Sequence, residues 1–118
     1  MIEELKENEI FIFGSNLNGN HAGGSARLAQ DKFGAVNGTG EGLTGKCYAF
    51  PTLDRKMQKQ SMVELRRSAE RLFEVAERQS DKIFLLTKVG CGIAGFSEEE
   101  IKPLFKDAPK NIIKPIGW

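Results

Sequence analysis

Two clusters of small and polar residues carry the chemical interest of this chain. The first is Gly14-Ser15-Asn16-Leu17-Asn18-Gly19-Asn20-His21-Ala22-Gly23-Gly24-Ser25. The second is Gly90-Cys91-Gly92-Ile93-Ala94-Gly95-Phe96. Glycine lets a ligand approach bare backbone, and the amides that open a helix point at negative charge. A carboxamide such as Asn16 both donates to and accepts from a ribose hydroxyl, or else closes its own turn. His21, the only histidine, suits a general base or a phosphate contact, and suits a helix start or the surface equally well. Ser25 can donate to a phosphate or satisfy the backbone. Cys91, close to a helix start, would have a lowered thiol pKa and could pair with His21 as a nucleophile; the competing role is a small buried side chain between glycines. Phe96 can cover a sugar or base, but a packing role beside a helix start explains it too. Together the clusters predict a clamp around a phosphate-bearing ligand.

The flanking residues show what must position these groups. Ile10-Phe11-Ile12-Phe13 precedes the first cluster and Ile83-Phe84-Leu85-Leu86-Thr87 the second, and both read as buried strands. Gly14 is expected to end the first strand. Ala22, Ala26, Ala29 and Phe33 recur at helical spacing, with Gly34 as the stop. Residues 34–46 hold five glycines (34, 38, 40, 42 and 45) and read as a long loop, after which Cys47–Phe50 is a short strand ended by Pro51-Thr52. Ser61 and Glu64 form a capping-box pattern before Met62, Leu65, Ala69, Leu72, Phe73 and Ala76; the other face interleaves arginine with glutamate, a self-paired solvated surface. Ser97 and Glu100 repeat the pattern, with Phe96 and Ile101 as a staple, and Pro103 shortens or splits that helix. Residues 111–116 make a last strand that Pro115 pushes toward an edge. Alternating strands and helices imply crossovers, hence a largely parallel sheet with ligands at the carboxyl ends of its strands.

Composition excludes several classes. The 118 residues fit one domain spanning 1–118, and 17 basic against 16 acidic residues give no field that would draw nucleic acid or an anionic membrane. Two cysteines 44 positions apart and one histidine do not make a structural zinc site. No apolar run nears the roughly 20 residues of a bilayer span. Met1–Glu9 lacks the pattern of a secretory signal, so a cytoplasmic protein with reduced thiols is expected. Gly40-Glu-Gly-Leu-Thr-Gly45-Lys46-Cys47 nearly matches a P-loop. Cysteine is a poor magnesium ligand, however, and the segment leads into a strand rather than a helix. Lys46 is expected at the surface or near an anion.

Phe13-Gly14-Ser15-Asn16, then Gly23-Gly24-Ser25-Ala26, then Gly90-Cys91-Gly92-Ile93-Ala94-Gly95-Phe96 resemble the macro domain. That family pairs an Asn-bearing first loop and a glycine-rich helix start with a later G-x-G-I-x-G-[YF] turn. The resemblance runs from residue 10 to about residue 105. The chain also looks like a small group of bacterial and phage proteins that share both loops. The resemblance implies a three-layer α/β/α fold with a mostly parallel mixed sheet, binding ADP-ribose or a related nucleotide diphosphate without metal or other cofactor. It places Asn16, beside Gly14 and Ser15, on the distal ribose. It also sets the amides of Gly23, Gly24 and Ser25 on one side of the diphosphate and those from Gly90 and Cys91 through Gly92, Ile93, Ala94 and Gly95 to Phe96 on the other. Some family members only bind, and others hydrolyse ADP-ribosyl derivatives; catalysis here would fall to Asn16, with His21 as the second candidate. Several features depart from the family: the chain is short for it, and His21 precedes the glycines in a place with no fixed family role. No Gly-Asp-Ile, from which an Asp usually reads the adenine amine, occurs near the N-terminus, where only Glu3, Glu4, Glu7 and Glu9 lie. The first loop reads Gly-Ser-Asn where hydrolytic relatives often have Ala-Ala-Asn. Two other readings remain: a non-enzymatic protein whose glycine turns serve packing or partner recognition, and a hydrolase using Cys91.

Overall fold

The central strand, β1 (Glu9–Asn16), explains why its sequence is apolar on both sides of the pleat. Ile10 and Ile12 point into one buried cluster, whereas Phe11 and Phe13 point into another. Side chains alternate along a strand, so a strand covered on both faces must be apolar at every position. The computed structural model describes residues 4–118. Met1, Ile2 and Glu3 lie outside the described residues, and with Glu3 one of the acidic candidates named above.

Gly14 does not end β1. The strand runs on to Asn16, pairing Gly14 with Phe50, and its register shifts between Ser15 and Asn16. Gly14 is there for a close approach: a β-carbon on it would lie 3.4 Å from the Gly90 nitrogen. Helix α1 (Gly24–Phe33) follows, with Gly23 as its N-cap and Gly34 closing it at φ 80°. Ala26, Ala29 and Phe33 are buried with Phe11 and Phe13, whereas Ala22 precedes the helix.

Residues 34–46 are not all loop. Gly42–Thr44 forms β2, antiparallel to β3 (Cys47–Leu53), with Thr44 opposite Cys47 across a turn at Gly45-Lys46. The P-loop-like segment is therefore a hairpin. Lys46 Nζ donates to the carbonyls of Leu5 at 3.4 Å and Lys6 at 3.0 Å, so it cradles no phosphate. Strand β3 continues past Pro51, which pairs opposite Ser15 just before the register of β1 slips. Proline lacks a ladder donor and is tolerated at such an irregularity.

Helix α2 (Met62–Arg78) begins at the expected N-cap, with Ser61 Oγ accepting from the Glu64 amide, but the reciprocal half of the capping box is not made among the described residues, Glu64 Oε1 accepting instead from Arg67. Its far end is closed by Asn111, whose Nδ2 donates to the carbonyls of Ala76, Gln79 and Lys82. Strand β4 (Ile83–Leu86) leads through the second glycine cluster to α3 (Glu98–Ile101), where the Ser97–Glu100 capping box is complete. Pro103 turns the next four residues into a 3-10 helix, Lys102–Phe105. A two-residue edge strand, β5 (Ile112–Ile113), ends the sheet.

The sheet order is β2-β3-β1-β4-β5. The β1–β3, β1–β4 and β4–β5 pairs are parallel, and β2–β3 is antiparallel. The described residues form a compact α/β domain with a mixed five-stranded sheet and three helices. From β1 it crosses to β3 on one side and later to β4 on the other. The carboxyl ends of β1 and β4 therefore open side by side where the order reverses, the crevice in which open α/β sheets hold their ligands.

Candidate functional site

The two glycine clusters converge at that crevice. A cleft of about 420 Å³ is lined by Gly14, Ser15 and Asn16 at the end of β1, by Gly23 to Ala26 at the start of α1, and by Gly90, Gly92, Ile93 and Ala94. The clusters approach each other directly, since β-carbons at Gly23 and Gly24 would meet Ile93 Cδ1 at 3.8 and 3.9 Å. Gly92 faces open space, with nothing within 4 Å of where its β-carbon would sit. Ile93 is 81% exposed and stands as a bare apolar lip between the two loops.

The backbone supplies most of the polar character. The first amides of α1 have no partner one turn earlier, and Gly23, the N-cap, has no side chain to cap them. In the second cluster the amides of Cys91, Gly95 and Phe96 are used, donating to Lys88, Gly92 and Gly90 carbonyls. Those of Gly92, Ile93 and Ala94 make no hydrogen bond among the described residues. Gly24 and Gly90 are left-handed, at φ 61° and 79°, a backbone conformation that favours glycine. Unpartnered amides thus occur in both of the loops that line the cleft.

Side-chain chemistry in the lining is sparse. Lys88 is its only charged residue, and no carboxylate, imidazole or thiol lines it among the described residues. Lys88 Nζ lies 3.2 Å from Glu98 Oε2, and Glu98 Oε1 accepts from Trp118 Nε1 at 2.9 Å. Those two hydrogen bonds, Trp118 first and Lys88 second, hold the Glu98 carboxyl below the usual carboxylate range. Just beyond the lining, Lys59 Nζ sits 4.9 Å over the Phe96 ring. Thr52 Oγ1 donates to the Ser15 carbonyl and Thr87 Oγ1 to the Ile12 carbonyl, so both hydroxyls are spent on the sheet.

Asn16 lines the cleft but its carboxamide is engaged. Its Nδ2 donates to the Asn20 carbonyl at 2.9 Å and its Oδ1 accepts from the Asn20 amide at 3.1 Å. The side chain closes the turn, as one of the two roles considered for it requires, and fixes Asn20 at the cleft wall. One Nδ2 hydrogen and one Oδ1 lone pair remain for a ligand. Ser15 lines the cleft with its backbone, because its hydroxyl donates to the Gly40 carbonyl. Ser25 makes no side-chain hydrogen bond among the described residues, so its hydroxyl is free to meet an anion.

Four of the residues expected at the site stand apart from the lining. Gly95 and Phe96 continue the second loop behind it, and Phe96 is buried in the core beside Ile101. Cys91 packs against that same core, and its Sγ donates to the Val89 carbonyl. Burial, then Glu98, raises its thiol pKa, so the expected activation by a helix start is absent. His21 is 2% exposed and lies edge-on to Phe13, in the cluster on the other side of the sheet. Its Nε2 is 3.1 Å from the Thr39 carbonyl oxygen, which can only accept, so Nε2 carries the proton. Its Nδ1 is the one buried side-chain polar atom without a partner among the described residues. Cys91 and His21 therefore do not form a nucleophile–base pair, and His21 holds the first loop against residues 37–40.

Sequence reasoning missed Asn20, Thr52, Leu53, Met57, Thr87 and Lys88, all of which line the cleft. Thr87 and Lys88 were findable from their place at a strand end. Leu53 and Met57 reach the cleft only because β3 runs past Pro51. Among the described residues no group of three or more His, Cys, Asp or Glu is placed to hold a metal, and no helix is long and apolar enough to cross a membrane. No family model, curated protein or solved structure matches this chain.

Proposed function

We propose that this is a small macro-like domain, with helices on both faces of its sheet, whose cleft binds the diphosphate of ADP-ribose or a closely related nucleotide. The observation that carries this reading is that unpartnered amides occur in both loops that line one crevice. The amides of Gly24, Ser25 and Ala26 come from a helix start, and those of Gly92, Ile93 and Ala94 from a glycine turn. Backbone donors held rigidly on both sides suit two linked phosphates, because no side chain must be ordered on binding. The cleft volume, about 420 Å³, lies within the range of small-molecule sites. Asn16 and Asn20 then border the sugar beyond the diphosphate.

Binding takes precedence over turnover in this proposal. Among the described residues the lining offers no carboxylate or imidazole to move a proton, so hydrolysis would rest on Asn16 orienting a water with the ligand's own phosphate as base. Isothermal calorimetry with ADP-ribose, ADP and AMP tests the reading. Binding of ADP-ribose and ADP at micromolar to sub-millimolar Kd, with AMP much weaker, is expected. No heat with any of the three at millimolar ligand refutes it.

A further inference from the structure

Met57 is the only residue other than glycine with a positive φ among the described residues, at 61°. It is half exposed and lines the cleft. A branched or long side chain rarely adopts that left-handed backbone, and where it does the surroundings must enforce it. Here they do. Asp54 Oδ1 accepts from the amides of Lys56 at 2.8 Å and Gln58 at 3.0 Å, the Asp54 amide donates to Gln58, and the Met57 amide donates to Asp54. Leu53 and Lys59 bridge the base of this tight turn. The turn is then pinned to the first loop: Asn18 Nδ2 donates to the Arg55 carbonyl at 2.7 Å, and the Leu17 amide donates to the Leu53 carbonyl.

A turn made to be rigid needs glycine or asparagine at such a position. Methionine adds strain there and leaves an apolar side chain half in water, so folding does not explain it. We infer that Met57 contacts the ligand, as an apolar shelf for the sugar at the first-loop end of the cleft. Asn20 shares that end. Its backbone is clamped by Asn16, and its own carboxamide makes no hydrogen bond among the described residues. A sugar ring has an apolar face and a polar rim, and a thioether shelf beside a free carboxamide matches both. Among the described residues no carboxylate lines the cleft. The shelf and the carboxamide together read the ligand at its sugar end.

This inference rests on the proposed nucleotide-diphosphate site, and its test separates the two. Met57→Asn relieves the strain, since asparagine tolerates the left-handed region, and removes the shelf. Met57→Leu keeps an apolar shelf. Calorimetry compares ADP-ribose with ADP, which has the diphosphate but no second sugar, and thermal melts run in parallel. The expected result is that Met57→Asn melts at the wild-type temperature or above it. It should bind ADP-ribose about tenfold more weakly and bind ADP as wild type does, while Met57→Leu restores ADP-ribose binding. If the wild-type protein binds both ligands and Met57→Asn changes neither affinity, or weakens both equally, Met57 does not read the sugar and the site itself stands. If the wild-type protein binds neither ligand, the nucleotide-diphosphate site and this inference fall together.

Discussion

Gly92→Val isolates the cleft from the fold. A β-carbon at Gly92 meets nothing within 4 Å, and its backbone is not left-handed. The first added carbon therefore meets no clash and no left-handed strain, and the substitution slightly restricts the unfolded chain. Stability should move by no more than about 0.5 kcal/mol, typical of surface positions, which is about 2 °C in Tm for a domain of this size. The new side chain stands in the cleft beside the unpartnered amides of Ile93 and Ala94. Losing one or two hydrogen bonds to a charged phosphate costs about 1.5–3 kcal/mol each, so ADP-ribose affinity should fall at least tenfold. Gly90→Ala is the contrasting case: φ is 79° and the added carbon would lie 3.0 Å from Phe96 Cδ2 and 3.3 Å from Thr52 Cγ2. It should lower Tm as well as binding, since the left-handed backbone alone costs about 1–2 kcal/mol. Melts and calorimetry on the two variants give the comparison. A Gly92→Val protein that melts normally and binds ADP-ribose at full affinity would falsify the assignment of the cleft.

Three further outcomes are expected. Gly45→Ala should destabilise the domain by more than about 2 kcal/mol, because its φ is 57° and a β-carbon would run into the Gly34 carbonyl; an unchanged denaturant midpoint would contradict the hairpin packing. Asn16→Ala should lower stability by about 1–2 kcal/mol through loss of both hydrogen bonds to Asn20, read by urea denaturation, and a silent substitution would mean the clamp is not formed in solution. Burial pushes the Cys47 thiol up to about 12, and burial followed by the nearby Glu41 charge pushes the Tyr48 phenol up to about 12. A raised folded-state pKa stabilises fully below the unfolded value and is lost as pH rises through the folded one. Tm should hold to about pH 9 and fall steadily toward pH 12, with a smaller fall in Cys47→Ala; a flat profile would refute this.

The parts of the fold legible in the sequence were those fixed by local periodicity and capping. The apolar faces of α1 and α2, the Ser61 cap and the Ser97–Glu100 box depend on residues within a few positions of one another. Long-range pairing decided the rest. Gly14 looks like a strand end and is a mid-strand residue, because the Gly90 backbone on the neighbouring loop requires its missing side chain. Pro51 looks like a stop and sits inside β3, opposite the one point where β1 slips register. Gly42–Thr44 has no strand-like alternation and pairs only because the Gly45 turn folds it back on β3. At the site, the glycine clusters were visible because bare backbone is itself the functional feature. Met57 was not, since the strain that marks it lies in a dihedral angle and not in its residue type.

Backbone amide NMR during titration with ADP-ribose tests most directly whether the two loops hold the ligand through main-chain donors. The largest shifts should fall together on the amides of Gly24, Ser25, Ala26, Gly92, Ile93 and Ala94, saturating with one ligand per chain, while the buried amides of β3 stay in place. Shifts confined to another face of the molecule, or no shift at millimolar ADP-ribose, would contradict it.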